Sequence, residues 1–186
     1  NAFRLGVEWS RIFPTSTAAI DISGGISLAA LQQLDALADQ TEVAYYRAVF
    51  AEVRAQGLTP FVTLVHFTLP LWIHDPIAAR DALATVGGND PPPTGFGPAG
   101  WLEATIVPEF AKFAAYLAWK YGDQVTNWVV LNEPVNSMLT SYFAIPFATN
   151  FPPAMVTLAR DHYRWTGHRR NRVGRRLAWS RRDRGR

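Results

Sequence analysis

Two hydrophobic periods take turns along this chain, and together they predict an ordered series of strands and helices. Phe3–Trp9 (FRLGVEW) is a short β-favouring run that stops at Ser10-Arg11, with Pro14 closing it off. A polar, glycine-containing loop is expected next. Between Thr41 and Gln56 the period becomes helical, because Tyr46, Val49, Phe50 and Val53 make one apolar stripe. Gly57 follows where a left-handed residue would end that helix. Pro60–His66 (PFVTLVH) is nearly all apolar and β-branched, the pattern of a strand covered on both faces. A Gly/Pro-rich segment, 86–100, reads as a long loop. The second helix runs over Ala104–Tyr121, with Ile106, Phe110, Phe113 and Leu117 on one face and Gly122 after it. Val125–Leu131 (VTNWVVL) is a third strand, cut off by Asn132-Glu133-Pro134.

Strand, helix, strand, helix, strand predicts an α/β fold whose strands are parallel and joined by right-handed crossovers. Chemistry in such folds collects at the C-terminal ends of the strands. His66, Asn132 and Glu133 stand at those ends.

Composition changes this picture in three ways. Apolar residues make up 48% and aromatics 13%, which excludes a chain disordered throughout. The absence of cysteine removes disulfides, thiolate metal sites and cysteine nucleophiles together. No leader-like opening and no apolar run of about 18 residues is present, so a membrane partner is not expected and the cytoplasm is the default setting. The net charge of +3 conceals a split. Residues 1–159 hold seven Lys and Arg against 13 Asp and Glu, whereas 160–186 hold 11 Arg against Asp161 and Asp183.

The strand ends carry the candidate chemistry. Cleaving a glycosidic bond requires a carboxylic acid to protonate the leaving oxygen. It also requires donors that hold ring hydroxyls as positive charge develops on the sugar. Glu133 and Asn132 suit those roles, His66 can hold another hydroxyl, and Phe67 and Trp72 offer aromatic walls. Taken singly, each has a plainer reading: a solvated turn carboxylate, or a histidine serving a structural hydrogen bond. A zinc site on His66 and His74 is rejected because no third ligand stands at useful spacing.

The order and length of the motifs narrow these alternatives. FRLGVEWSRIFP, TLVHFTLPLWIHDP and WVVLNEP resemble glycoside hydrolase family 1, and most closely its archaeal-type β-glycosidases. YYRAVF, EFAKFAAYLAWKYGD and NFPP are similar to further segments of that family, and the resemblance spans about residues 1–159. It implies a (β/α)8 TIM barrel, of which this chain would supply about strands 2–4 with their helices. A whole barrel takes about 250 residues, more than this chain has. By the same resemblance Glu133 is the general acid/base, and Asn132 binds the sugar 2-hydroxyl. His66 binds a glycone hydroxyl, and Arg4 lies beside the nucleophile carboxylate. Phe67 stands where the family usually has tryptophan, again an aromatic wall. The implied substrates are β-linked glucosides or galactosides, with no cofactor and no metal.

The departures from the family pattern are as informative. The family nucleophile is a glutamate in a T-E-N-G-type segment, and none occurs here. After Glu133 the only acids are Asp161 and Asp183. The glutamine of the family's first strand is expected upstream of Asn1. The sequence therefore predicts a glycosidase-type site with one catalytic carboxylate, inactive alone, against the alternative of a non-catalytic or degenerate sugar binder. The tract 160–186 is read as a second, disordered region, produced by a shifted reading frame. A nucleic-acid partner for its arginines is the lesser reading. Oligomeric state is not legible in the sequence.

Overall fold

The computed structural model describes residues 1–75, 98 and 100–137. Two compact units divide the chain, and the first, Asn1–Asp75 with Gly97–Pro134, contains every element named below. Of the second unit, Pro76–Phe96 with Val135–Arg186, residues 135–137 are described, and they are helical. The expectations for the Arg-rich tract, and for 86–100 apart from 98 and 100, lie outside the described residues.

The elements are β1 (Ala2–Gly6), α1 (Trp9–Ile12), α2 (Leu28–Leu37), α3 (Gln40–Ala55), β2 (Thr59–Val65), a 3-10 turn (Gly100–Leu102), α4 (Ile106–Tyr121) and β3 (Asn127–Leu131). The strands form one sheet in the order β1-β2-β3, parallel throughout. Gly6 pairs with Thr63, and Thr63 pairs with Val129, so all three strands end on the same side. The predicted α/β class and its parallel pairing are what the structure has.

Two expectations are corrected. The strand predicted over Phe3–Trp9 stops at Gly6, and Trp9 opens α1 instead. Tertiary packing overrides local propensity here: Trp9 is 2% exposed and stacks on Phe113, ring centroids 4.8 Å apart. Such a pair adds about 0.5–1.5 kcal/mol beyond the area it buries. The polar loop expected before Thr41 contains a helix, α2. Ser27 caps it by accepting from Ala30 N at 3.1 Å, and Ala30 and Leu34 face the core. A serine cap of this kind contributes about 1 kcal/mol.

The helix boundaries read from the sequence hold to within two residues. Asp39 caps α3 through the Thr41 and Glu42 amides, and Gly57 has the left-handed φ of 72° foreseen for it. The α4 stripe is broader than predicted, for Tyr116 and Tyr121 are fully buried alongside Phe113 and Leu117. Tyr116 Oη and Lys120 Nζ donate to Asp35 Oδ1 at 2.7 and 2.6 Å, tying α4 to α2. Burial and that bond to Asp35 raise the Tyr116 pKa above its ordinary value. The helices thus back one face of the sheet, where Val62 is fully buried. Coverage of β2 is less even than its apolar run implied, since Phe61 remains 37% exposed.

Candidate active site

At the strand ends the residues singled out above make two contacts, Arg4 with Asn132 and His66 with Phe67. Arg4 stands on β1, yet its guanidinium reaches across the middle strand. Its Nε donates to Thr63 Oγ1 on β2 at 2.9 Å, and its Nη2 donates to Asn132 Oδ1, just past β3, at 2.7 Å. Neighbouring strands lie about 4.8 Å apart, so a bond from the first to the third needs a side chain as long as arginine. Asn132 is 7% exposed, and its own N–H donates to Val65 O at 2.9 Å, extending the β2–β3 ladder by one bond. Its carboxamide is therefore held from β1 through Arg4, and its backbone from β2.

Among the described residues, only Phe67 and Glu133 are non-glycine residues with positive φ, 73° and 42°. Each stands in the turn directly after a strand, Phe67 past β2 and Glu133 past β3. Left-handed backbone costs an L-residue roughly 1–2 kcal/mol, and such strain clusters where function fixes a side chain. Glu133 is exposed, and Pro134 behind it begins a helical turn. His66 is exposed too, with its ring edge-on to Phe67 at 5.1 Å between centroids. Gly6 supports it: a Cβ there would lie 3.6 Å from His66 Cβ, so the imidazole rests against the end of β1.

The remaining aromatic and imidazole candidates are placed elsewhere. Trp72 donates its Nε1 to Phe13 O at 2.9 Å and meets Trp9 edge-on, so it belongs to the core packing behind β1. His74 is 8% exposed, its Nε2 has no hydrogen-bond partner among the described residues, and burial lowers its pKa despite the opposing pull of Asp75. No group of three or more His, Asp or Glu is placed to hold a metal among the described residues.

Sequence reasoning missed two residues at these strand ends. Thr63 anchors Arg4, and Glu8, past the end of β1, accepts from Thr68 Oγ1 at 2.6 Å. Glu8 N in turn donates to Tyr46 Oη at 3.0 Å. Strand alternation could have put Thr63 and Arg4 on one face, but only the register shows that they touch.

Chemically, the arrangement offers one exposed carboxyl, a fixed carboxamide, an imidazole and an aromatic face at one end of a parallel sheet. Comparisons with known proteins find a matching family model and several relatives. The family model described as glycosyl hydrolase family 1 matches residues 1–172, reaching into the Arg-rich tract. A β-galactosidase of Pyrococcus woesei is 41% identical over 168 residues, covering 84% of this chain and 31% of that protein. A β-galactosidase of Sulfolobus acidocaldarius is 34% identical over 165 residues, 82% of this chain and 31% of the relative. Among solved structures, the β-glycosidase of Thermosphaera aggregans superposes with a TM-score of 0.68 at 32% identity, covering 87% of this chain and 34% of that one. The β-glucosidase of Pyrococcus furiosus gives the same score and identity over 85% of this chain and 34% of that one. The chain spans about a third of the length of each of these relatives. No described helix is long and apolar enough to cross a membrane.

Proposed function

Because this chain belongs to glycosyl hydrolase family 1, we propose that it supplies the acid/base half of a retaining β-glycosidase site, built on about strands 2–4 of a (β/α)8 barrel. The observation that carries the reading is the cluster at the strand ends. Arg4 and Asn132 are bonded to each other, and Glu133 follows Asn132 at a left-handed corner. His66 and Phe67 share the end of the neighbouring strand.

In this reading Glu133 gives its proton to the glycosidic oxygen as the C1–O bond breaks. A second carboxylate, about 5–5.5 Å away and on the opposite face of the ring, bonds to C1. Glu133 then takes a proton from the water that releases the sugar. Asn132 and His66 hold ring hydroxyls, strengthening as positive charge grows at C1, and Phe67 walls the ring. The substrates are β-linked glucosides or galactosides, in keeping with the names that the relatives carry. No metal or organic cofactor has a role in these steps. The cytoplasm is the proposed setting, on the strength of the cysteine-free sequence.

These 186 residues contain no T-E-N-G-type segment, and Asp161 and Asp183 are the only acids beyond Glu133. Without that nucleophile glutamate these residues form no covalent intermediate. The polypeptide alone is therefore expected to leave an aryl β-glucoside uncleaved. The test measures release of the aryl alcohol by this polypeptide and by its Glu133→Gln variant. Turnover that disappears with Glu133→Gln would overturn the inactivity, and equal background rates support it.

A further inference from the structure

We propose that Thr63 is a positioning residue for this site. Its hydroxyl anchors the Arg4 guanidinium, and Arg4 in turn fixes the Asn132 carboxamide so that Nδ2, not Oδ1, is presented to a ligand hydroxyl. The ligand part rests on the glycosidase reading above; the positioning part rests on geometry alone.

A carboxamide can present either end, and nothing in asparagine itself chooses. Arginine does choose, because a guanidinium has five donors and no acceptor. Arg4 Nη2, 2.7 Å from the Asn132 oxygen, therefore commits that oxygen inward. Among the described residues Asn132 Nδ2 donates to nothing, which leaves it as the amide group for a bound hydroxyl. The amide consequently acts as a donor, the polarity suited to gripping a hydroxyl oxygen.

Arg4 by itself is a poor instrument for this. Its side chain is long and largely exposed, with several rotatable bonds. Thr63 removes that freedom. It is fully buried, and its backbone oxygen accepts from Val7 N at 3.2 Å, while Gly6 and Val129 flank it in register. A β-branched residue in a strand has few χ1 choices, so its Oγ1 is a fixed acceptor for Arg4 Nε at 2.9 Å. Two bonds from one planar group, one at Nε and one at Nη2, set both its position and its tilt. Thr63 itself does not reach the ligand. Its effect passes through Arg4.

The test uses the full 186-residue chain, isotopically labelled, and follows the Arg4 Nε–H and Asn132 Nδ2 amide signals by NMR. Arg47 and Arg54 serve as internal controls, since they bond through terminal nitrogens only. Arg4 Nε–H is expected to exchange with water about tenfold more slowly than theirs in the unmodified chain. Thr63→Val keeps the shape and removes the hydroxyl, so it should abolish that protection and shift the Asn132 amide signals. Thr63→Ser should restore both. Fast Arg4 exchange in the unmodified chain would overturn the proposal even if Thr63→Val fails to fold. So would a folded Thr63→Val variant with unmodified Arg4 and Asn132 signals. Titration with methyl β-D-glucopyranoside then examines the ligand. The Asn132 Nδ2 signals should move in the unmodified and Ser chains, with about fivefold weaker binding in the Val variant. A protected Arg4 with no response to the glucoside would support positioning and refute the sugar reading.

Discussion

Exchanging Lys112 for methionine should unseat α4, because the ammonium it removes is, among the described residues, the only counter-charge of a buried carboxylate. Lys112 and Glu109 stand one turn apart on α4, with side-chain exposures of 3% and 10%. Lys112 Nζ donates to Glu109 Oε1 at 2.8 Å and to Thr17 O at 2.9 Å, and the Thr17 hydroxyl donates to the other Glu109 oxygen. The group is self-contained: each polar member is answered by another. Methionine retains most of the stem's volume, so a cavity is not the main cost. Instead Glu109 loses its ion-pair partner, keeping only the Thr17 hydroxyl, and Thr17 O is left without a donor. Breaking one side of a buried ion pair costs about 3–5 kcal/mol, a large part of the roughly 5–15 kcal/mol that holds an ordinary domain. Replacing both residues, Lys112→Met with Glu109→Leu, removes the stranded charge. That double variant should recover all but about 1–3 kcal/mol, the cost of the orphaned Thr17 groups. Urea unfolding of the four members of the cycle, followed by tryptophan fluorescence, measures each value. A single Lys112→Met variant losing less than about 1 kcal/mol would refute the reasoning, as would a double variant no more stable than the single one.

Two further outcomes follow from individual side chains. Burial holds His74 below its ordinary pKa of 6.5, so the unfolded chain takes up this proton at a higher pH than the folded one. Stability present above about pH 6.5 is therefore lost as pH falls towards the folded-state pKa, and His74→Phe should flatten the fall in urea midpoint between about pH 7 and pH 5. At the left-handed corner of φ 42°, Glu133→Gly should cost no stability, whereas β-branched Glu133→Val should cost about 1–2 kcal/mol. Equal urea midpoints for those two variants would mean that the corner is unstrained.

What could be read from the sequence, and what could not, divides by the range of the interaction responsible. The α3 and α4 helices announced themselves because their apolar positions repeat over four turns, with Gly57 and Gly122 marking the ends. The α2 helix did not, since it buries only Ala30 and Leu34, and Gly24-Gly25 just before it argued for a loop. Trp9 carried a β-favouring signal locally, but its partner Phe113 lies on a helix much later in the chain. The site divides in the same way. The placement of Glu133, Asn132 and His66 was legible because each stands where a strand pattern stops, and strand ends are where a parallel sheet keeps its chemistry. Arg4 was assigned by resemblance to the neighbourhood of a nucleophile. Its partners here, Thr63 and Asn132, lie 59 and 128 residues away and become neighbours only through the register of three strands. Slipping β1 by one residue against β2 would turn Arg4 to the opposite face and leave the Asn132 amide free to rotate. Register, which no local pattern encodes, is thus what converts a set of suitable residues into an oriented donor beside Glu133.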